Sequence, residues 1–331
     1  MNTEQHHEEN MQIDKTTSNN IQILRGIAII AVVMIHNTPY GTLQLIFRPF
    51  ENFSVGLFLF LSGYLSHADQ WHPWKRIRKI LIPYVFWSAF YTLLYYHSAL
   101  ASDPYLILKH LITGGSAAIM YYVFVYCELT LLIPLIGRMS ECKHPLLFLC
   151  ISPLEILLLR TVPILMKIDL SSWFLTIQQL SCIGWFSYYF LGYLCGNDVL
   201  HIHLPRKKLT VCWVISILLQ FLEGWYYDSM GIVDFGTQMK LSSFITDSII
   251  LLFSARFIVG NHKKDSVFHK LGNQSFGIFF LHLAVMALVT HFIGSFPKLF
   301  PLNAVITICI TYAIIVSSER LFHGKLHILG L

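Results

Sequence analysis

The chain has 331 residues, 55% of them hydrophobic and only 12% charged, with a formal charge of +5 at neutral pH. Soluble domains carry charge on about a quarter of their residues, so this composition, with a mean hydropathy of +0.59, excludes a soluble globular enzyme and indicates a polytopic membrane protein. The modest net charge gives no ground for expecting a nucleic-acid partner.

Residues 1–20 are polar, mix Glu with His and lack the basic start of a signal peptide. They are expected to form a disordered cytoplasmic tail, with His6 and His7 outside the chemistry. Apolar windows of about 19 residues then predict ten spans, over 21–38, 53–68, 79–98, 119–137, 145–162, 180–196, 209–226, 241–259, 274–293 and 302–320. The fifth is interrupted by Pro153 and Glu155, and the seventh runs into Glu223. Because the apolar runs are continuous and not alternating, lipid-facing strands are excluded. The predicted fold is an all-α polytopic helical bundle occupying 21–322, followed by a short cytoplasmic stretch at 323–331. No long extracytoplasmic insertion or repeat interrupts it. The seven cysteines lie mostly within apolar runs without ligand spacing and read as small buried hydrophobes, not as a disulfide or metal framework.

Orientation follows from the short connections. With the N-terminus inside, the inner side holds Lys75, Arg76, Arg78, Lys79, Arg138, Lys143, Arg206, Lys207, Lys208, Arg256, Lys263, Lys264 and Lys270, with Lys15, Arg320 and Lys325 at the chain ends. The outer side holds only Arg48, Lys109, Arg160, Lys167, Lys240 and Lys298. The positive-inside rule therefore predicts cytoplasmic N- and C-termini.

Within the first span, Arg25 and His36 are eleven residues apart, about 1100° of helix and so within roughly 20° of three full turns. They share one face, about 16 Å apart along the axis, with Arg25 in the inner half and His36 near the outer end. Ionisable groups at such depth normally face a bundle interior or a wet cavity, although Arg25 could instead snorkel to the interface. Ser62 and Gly63, at the inner end of the second span, suit close helix packing or the shaping of a site. The cluster Lys75, Arg76, Arg78 and Lys79 suits either anionic lipid headgroups or a phosphate grip for a cytosolic ligand. Glu128, in the fourth span, needs a proton or a cation, and Arg25 is the obvious partner, as a structural pair or beside a catalytic carboxylate. Glu155 and Asp247 also fall within spans, without a motif around them. In the ninth span, His282 follows Ser275 by seven residues and shares nearly the same face, either as a packing residue or as part of a site.

These stretches together resemble acyltransferase family three, ten-helix membrane proteins that acylate extracytoplasmic sugars and other hydroxyl-bearing acceptors. LRGIAIIAVVMIH matches the family's pattern of Arg, ten residues and His at Arg25 and His36, and VGLFLFLSGYL, KRIRKILIPY, the tyrosine-rich fourth span and SFGIFFLH follow in order across nearly the whole chain. The resemblance implies an acyl-CoA donor, usually acetyl-CoA, entering from the cytoplasm, and no metal. It carries the family's basic pair onto Arg76 and Lys79, where the second member, typically Arg, is a Lys without the planar fork. Many members open the fourth span with a His near the position of Ile119. Lipid-linked or cell-envelope glycans are the acceptors the resemblance implies, alongside membrane lipids as surroundings.

The chemistry of acyl transfer asks for a base, a donor grip and an oxyanion stabiliser. His36 suits the base, since imidazole titrates near working pH. Arg25 suits CoA phosphates, the thioester end or a carboxylate such as Glu128, and His282 is a further candidate. No Ser or Cys stands out as a nucleophile, and direct transfer and an acyl-enzyme both fit. A transporter or small-substrate permease without chemistry is the rival, but its usual pair of broken helices in inverted repeats is not found.

Overall fold

The computed structural model describes residues 15–260, 262, 266–293, 300–323 and 325–331. His6, His7, Lys263, Lys264 and Lys298 therefore lie outside the described residues, as does most of the predicted N-terminal tail. Helix α1 is Lys15–Asn37. It begins six residues before the predicted boundary, which corrects the reading of 15–20 as disordered tail. The cause is tertiary: the buried Asn20 amide donates to the carbonyls of Phe257 (3.2 Å), Ile258 (2.9 Å) and Gly260 (2.6 Å), groups that the end of another helix leaves without intrahelical partners.

Helix α2 (Phe53–Tyr64) is preceded by a short helix at Thr42–Phe47 and a tight turn at Arg48–Phe50. Helix α3 (Pro73–Leu100) follows, and then α4 (Tyr121–Leu131) and α5 (Ile133–Ser140), which meet at 58° beside Pro134. Thus the fourth predicted span is a broken pair, as expected where Pro removes a backbone donor. Residues 145–166 pass through tight, α and wide helical turns. Helix α6 (Phe186–Gly196), α7 (Arg206–Ser229), α8 (Leu241–Ile258), α9 (Val267–Asn273), α10 (Ser275–Ile293) and α11 (Leu302–Leu321) follow, and further short helices lie at Leu106–Thr113 and Ser172–Leu180. Among the described residues there is no strand.

Among the described residues, seven helical stretches are long and apolar enough to cross a membrane, or eight if the bent pair is one span. The other two of the ten predicted spans fall on α3, whose apolar face is diluted by Tyr84, Tyr91, Tyr95, Tyr96 and His97, and on α6, which has 11 residues. The outward faces are apolar: Val211, Val214, Ile215, Leu218, Leu222 and Trp225 line the exposed side of α7. This also corrects the cysteine reading. Only Cys182 is buried, while Cys150, Cys212 and Cys309 are exposed on outward surfaces, where an apolar side chain beside hydrocarbon needs no protein cover.

Two hydrophobic cores share α1. Leu24 and Ala28 pack with α2, α6 and α8, whereas Ile29, Val32 and Val33 pack with α3, α4 and α10. Close contacts between backbones set the lateral order. A Cβ at Gly63 of α2 would collide with the Tyr189 carbonyl of α6, and one at Gly192 with the Phe60 carbonyl, so only glycine permits this approach. The C-terminal stretch docks back on the bundle, where Trp87 Nε1 donates to the Leu329 carbonyl (2.9 Å).

Candidate functional site

A cavity of about 330 Å³ gathers Arg25 from α1, Ser62 from α2, Arg76 and Lys79 from the first turns of α3, Tyr122 and Tyr126 from α4, and Ser275, Phe276 and Phe279 from the start of α10. Three cations predicted from two separate stretches thus meet on one space. Arg76 is pre-positioned: Nη1 donates to Ser66 Oγ (2.6 Å) and Nη2 to the Leu65 carbonyl (3.0 Å), at the end of α2. Lys79 is exposed and makes no hydrogen bond or ion pair with a described residue. A wider opening of about 790 Å³, lined by Trp74, Lys75 and Arg78, adjoins the cavity through Lys79 and Phe276.

Arg25 forms no ion pair with a described residue, and its electrostatic neighbours are Tyr122 and Tyr126. Glu128 is not its partner. That carboxylate accepts the Cys182 backbone N–H at 2.7 Å and caps the segment leading to α6. The reason is rotational: Tyr122 and Tyr126, four residues apart, face the cavity, and Glu128 lies two residues further, about 200° around the helix. Glu155 accepts from Gln178 (2.8 Å), and Asp247 from the Tyr188 hydroxyl (3.2 Å).

His36 lines a separate chamber of about 50 Å³ with Ser54, Tyr121, Gln238 and the two residues Tyr122 and Phe279 that also line the cation cavity. His282 comes from α10 to meet it, with ring centroids 5.3 Å apart and planes tilted by 42°. His282 Nδ1 lies 2.9 Å from the Ile278 carbonyl. A carbonyl only accepts, so this bond assigns the proton to Nδ1 and leaves the Nε2 lone pair free. Nε2 is buried without a partner, and the His36 ring has no hydrogen-bond partner among the described residues. The pair can therefore exchange a proton with a third group.

Beyond the chamber lies a polar belt that the sequence reading did not single out. Thr38 donates to Glu51 Oε2 (2.8 Å), Gln44 to Asp234 (3.2 Å), and Arg160 pairs with Asp234 at 3.7 Å. Arg48 Nε, Glu51 Oε1, Ser54 Oγ and Gln238 Oε1 are buried without partners. A signal existed: Arg48, Glu51 and Ser54 recur every third residue at the entry to an apolar span, one face of a helical turn. Lys240, only 2% exposed, has its pKa pushed down to about 8 by burial, against the pull of Glu223, Asp234 and Asp247. Among the described residues no three His, Cys, Asp or Glu side chains cluster as a metal site.

A family model described as an acyltransferase domain matches residues 18–320, which include every residue of the cavity and the chamber. No curated protein and no solved structure matches the chain.

Proposed function

The chain belongs to that acyltransferase family, and we propose that it transfers an acyl group, acetyl in the first instance, from cytosolic acyl-CoA to a hydroxyl of an extracytoplasmic or lipid-linked cell-envelope glycan. Its apolar helices fit a multi-pass membrane protein. The cell membrane is its proposed location, with both termini and the 75–79 connection on the cytosolic side. The bundle at 21–322 is the proposed catalytic unit.

One observation carries this reading: Arg25, Arg76 and Lys79 share a cavity whose lining residues Tyr122 and Phe279 also line the chamber of His36. In the proposed mechanism Arg76, Lys79 and Arg25 bind the donor through its phosphates and thioester end, using charge-assisted bonds. His36 takes the proton of the acceptor hydroxyl as its oxygen attacks the thioester carbon. The C–O bond forms, the C–S bond breaks, and the proton passes to the departing CoA thiolate. His282, with its free Nε2 beside His36, is proposed to hold or share that proton. Glu128, bound to the Cys182 N–H, keeps only a structural part in this scheme.

The test is incubation of purified protein with radiolabelled acetyl-CoA and a lipid-linked glycan fraction. His36→Ala should lower transfer by about 100- to 10,000-fold, the usual cost of losing a general base, while CoA binding persists. Near-normal turnover by a monodisperse His36→Ala protein would remove His36 as the base.

A further inference from the structure

The two spaces of the site share one aromatic pair. Tyr122 of α4 and Phe279 of α10 each line both the cation cavity and the His36 chamber, and their ring centroids are 5.3 Å apart at 55°. Their neighbours are fixed: Val123 is 1% exposed, while Ile278 and Phe280 are fully buried, so the backbones on both sides are held in the core. The two rings themselves are only half-buried, and each lines both spaces. A side chain in that position moves by rotamer changes without disturbing the helices. They are the lining residues common to the two spaces, so the direct route from Arg25 to His36 runs past these rings.

Size then becomes the discriminating property. On the scale where one water takes roughly 10–15 Å³ of such space, a chamber of about 50 Å³ holds about four water-sized groups, an acyl chain of two or three carbons and little more. We propose that the Tyr122–Phe279 pair is the gate and the acyl-length determinant of this enzyme: it admits a short acyl group to His36, excludes longer ones, and closes behind the thioester. The inference rests on the assignment of the transfer point to His36. Tyr122 and Phe279 are specificity residues in this scheme, not participants in bond making.

The experiment uses washed membranes from cells producing the full chain, supplied with radiolabelled acetyl-CoA or butyryl-CoA, and follows label incorporated into endogenous acceptor. Each surplus methylene in a closed apolar pocket typically costs about 10- to 200-fold in kcat/KM, so the wild type should favour acetyl over butyryl by at least about tenfold. Phe279→Ala should raise the butyryl-to-acetyl ratio at least about tenfold. Phe279→Trp, which fills the passage, should depress transfer of both. Where Phe279→Ala reduces the amount of folded protein, Phe279→Val and the Trp variant decide by the same two readouts. An unchanged chain-length ratio in a folded Ala or Val variant, or full acetyl transfer by the Trp variant, overturns the gate. His36→Ala in the same membranes separates the two ideas. If it is inactive while the ratio is unmoved, the gate alone is wrong, and if it is active, the assignment to His36 fails first.

Discussion

Replacement of Lys79 by Met tests the donor grip with the least structural damage. Lys79 lines the cation cavity, is exposed and bonds to no described residue, so Met keeps the apolar stem and removes only the charge. A charge-assisted hydrogen bond is worth about 1.5–3 kcal/mol, and solvent exposure places Lys79 at the low end. About 1.5 kcal/mol corresponds to roughly a tenfold rise in the dissociation constant. Arg76→Ala should behave differently, because Arg76 also supports Ser66 Oγ and the Leu65 carbonyl. Its loss should weaken binding and also lower the melting temperature, leaving the Leu65 carbonyl at the end of α2 without this donor, while Ser66 Oγ keeps the Tyr189 hydroxyl. The assay is calorimetric titration of CoA into purified protein in detergent at two salt concentrations, with thermal unfolding measured in parallel. Lys79→Met should show weaker binding, a shallower salt dependence and an unchanged melting temperature. Unchanged affinity at both salt concentrations would refute the phosphate grip and return the cluster to a role in anchoring on lipid headgroups.

Arg25→Lys keeps the charge but loses the planar fork, so acetyl transfer should fall by at least about tenfold if Arg25 binds its ligand in a bidentate manner; a fully active variant would reduce Arg25 to a point charge. Single cysteines placed at the exposed positions 75 and 79 should resist an impermeant thiol reagent in intact cells, while a cysteine at the exposed position 109 should react, in a background cleared of reactive native cysteines; the reverse pattern would invert the orientation. Lys240 releases its proton near pH 8 in the folded chain against an ordinary 10.5, so between those values the unfolded chain holds a proton that the folded one has lost. Stability should therefore rise with pH above about 8, by up to about 1.4 kcal/mol per unit, and Lys240→Met should abolish that component of the melting-temperature profile. Identical profiles for the two proteins would show that Lys240 is not the group responsible.

Much of this protein was decided locally and was therefore visible in one dimension. Continuous apolar runs can satisfy their backbone groups in lipid only as helices, so the all-helical bundle follows from composition and hydropathy. The eleven-residue spacing of Arg25 and His36 places them on one face by helix geometry alone, and the resemblance to the family marked Arg76 and Lys79, at the basic start of α3, as candidate ligands. What the chain could not disclose is how each helix is rotated and which helix lies beside it. Tyr122 and Phe279 are 157 positions apart in the sequence, yet their rings meet and both line the cavity and the chamber. His282 meets His36 for the same reason, and the rotation of α4 that turns Tyr122 and Tyr126 inward swings Glu128 away from Arg25 and onto the Cys182 N–H. Even the start of α1 was set from outside, by carbonyls at the end of α8 that Asn20 satisfies. Periodicity specifies a helix and its polar face, but lateral order comes from backbone approach at positions such as Gly63 and Gly192, where the partner is more than a hundred residues away and only the folded chain brings it there.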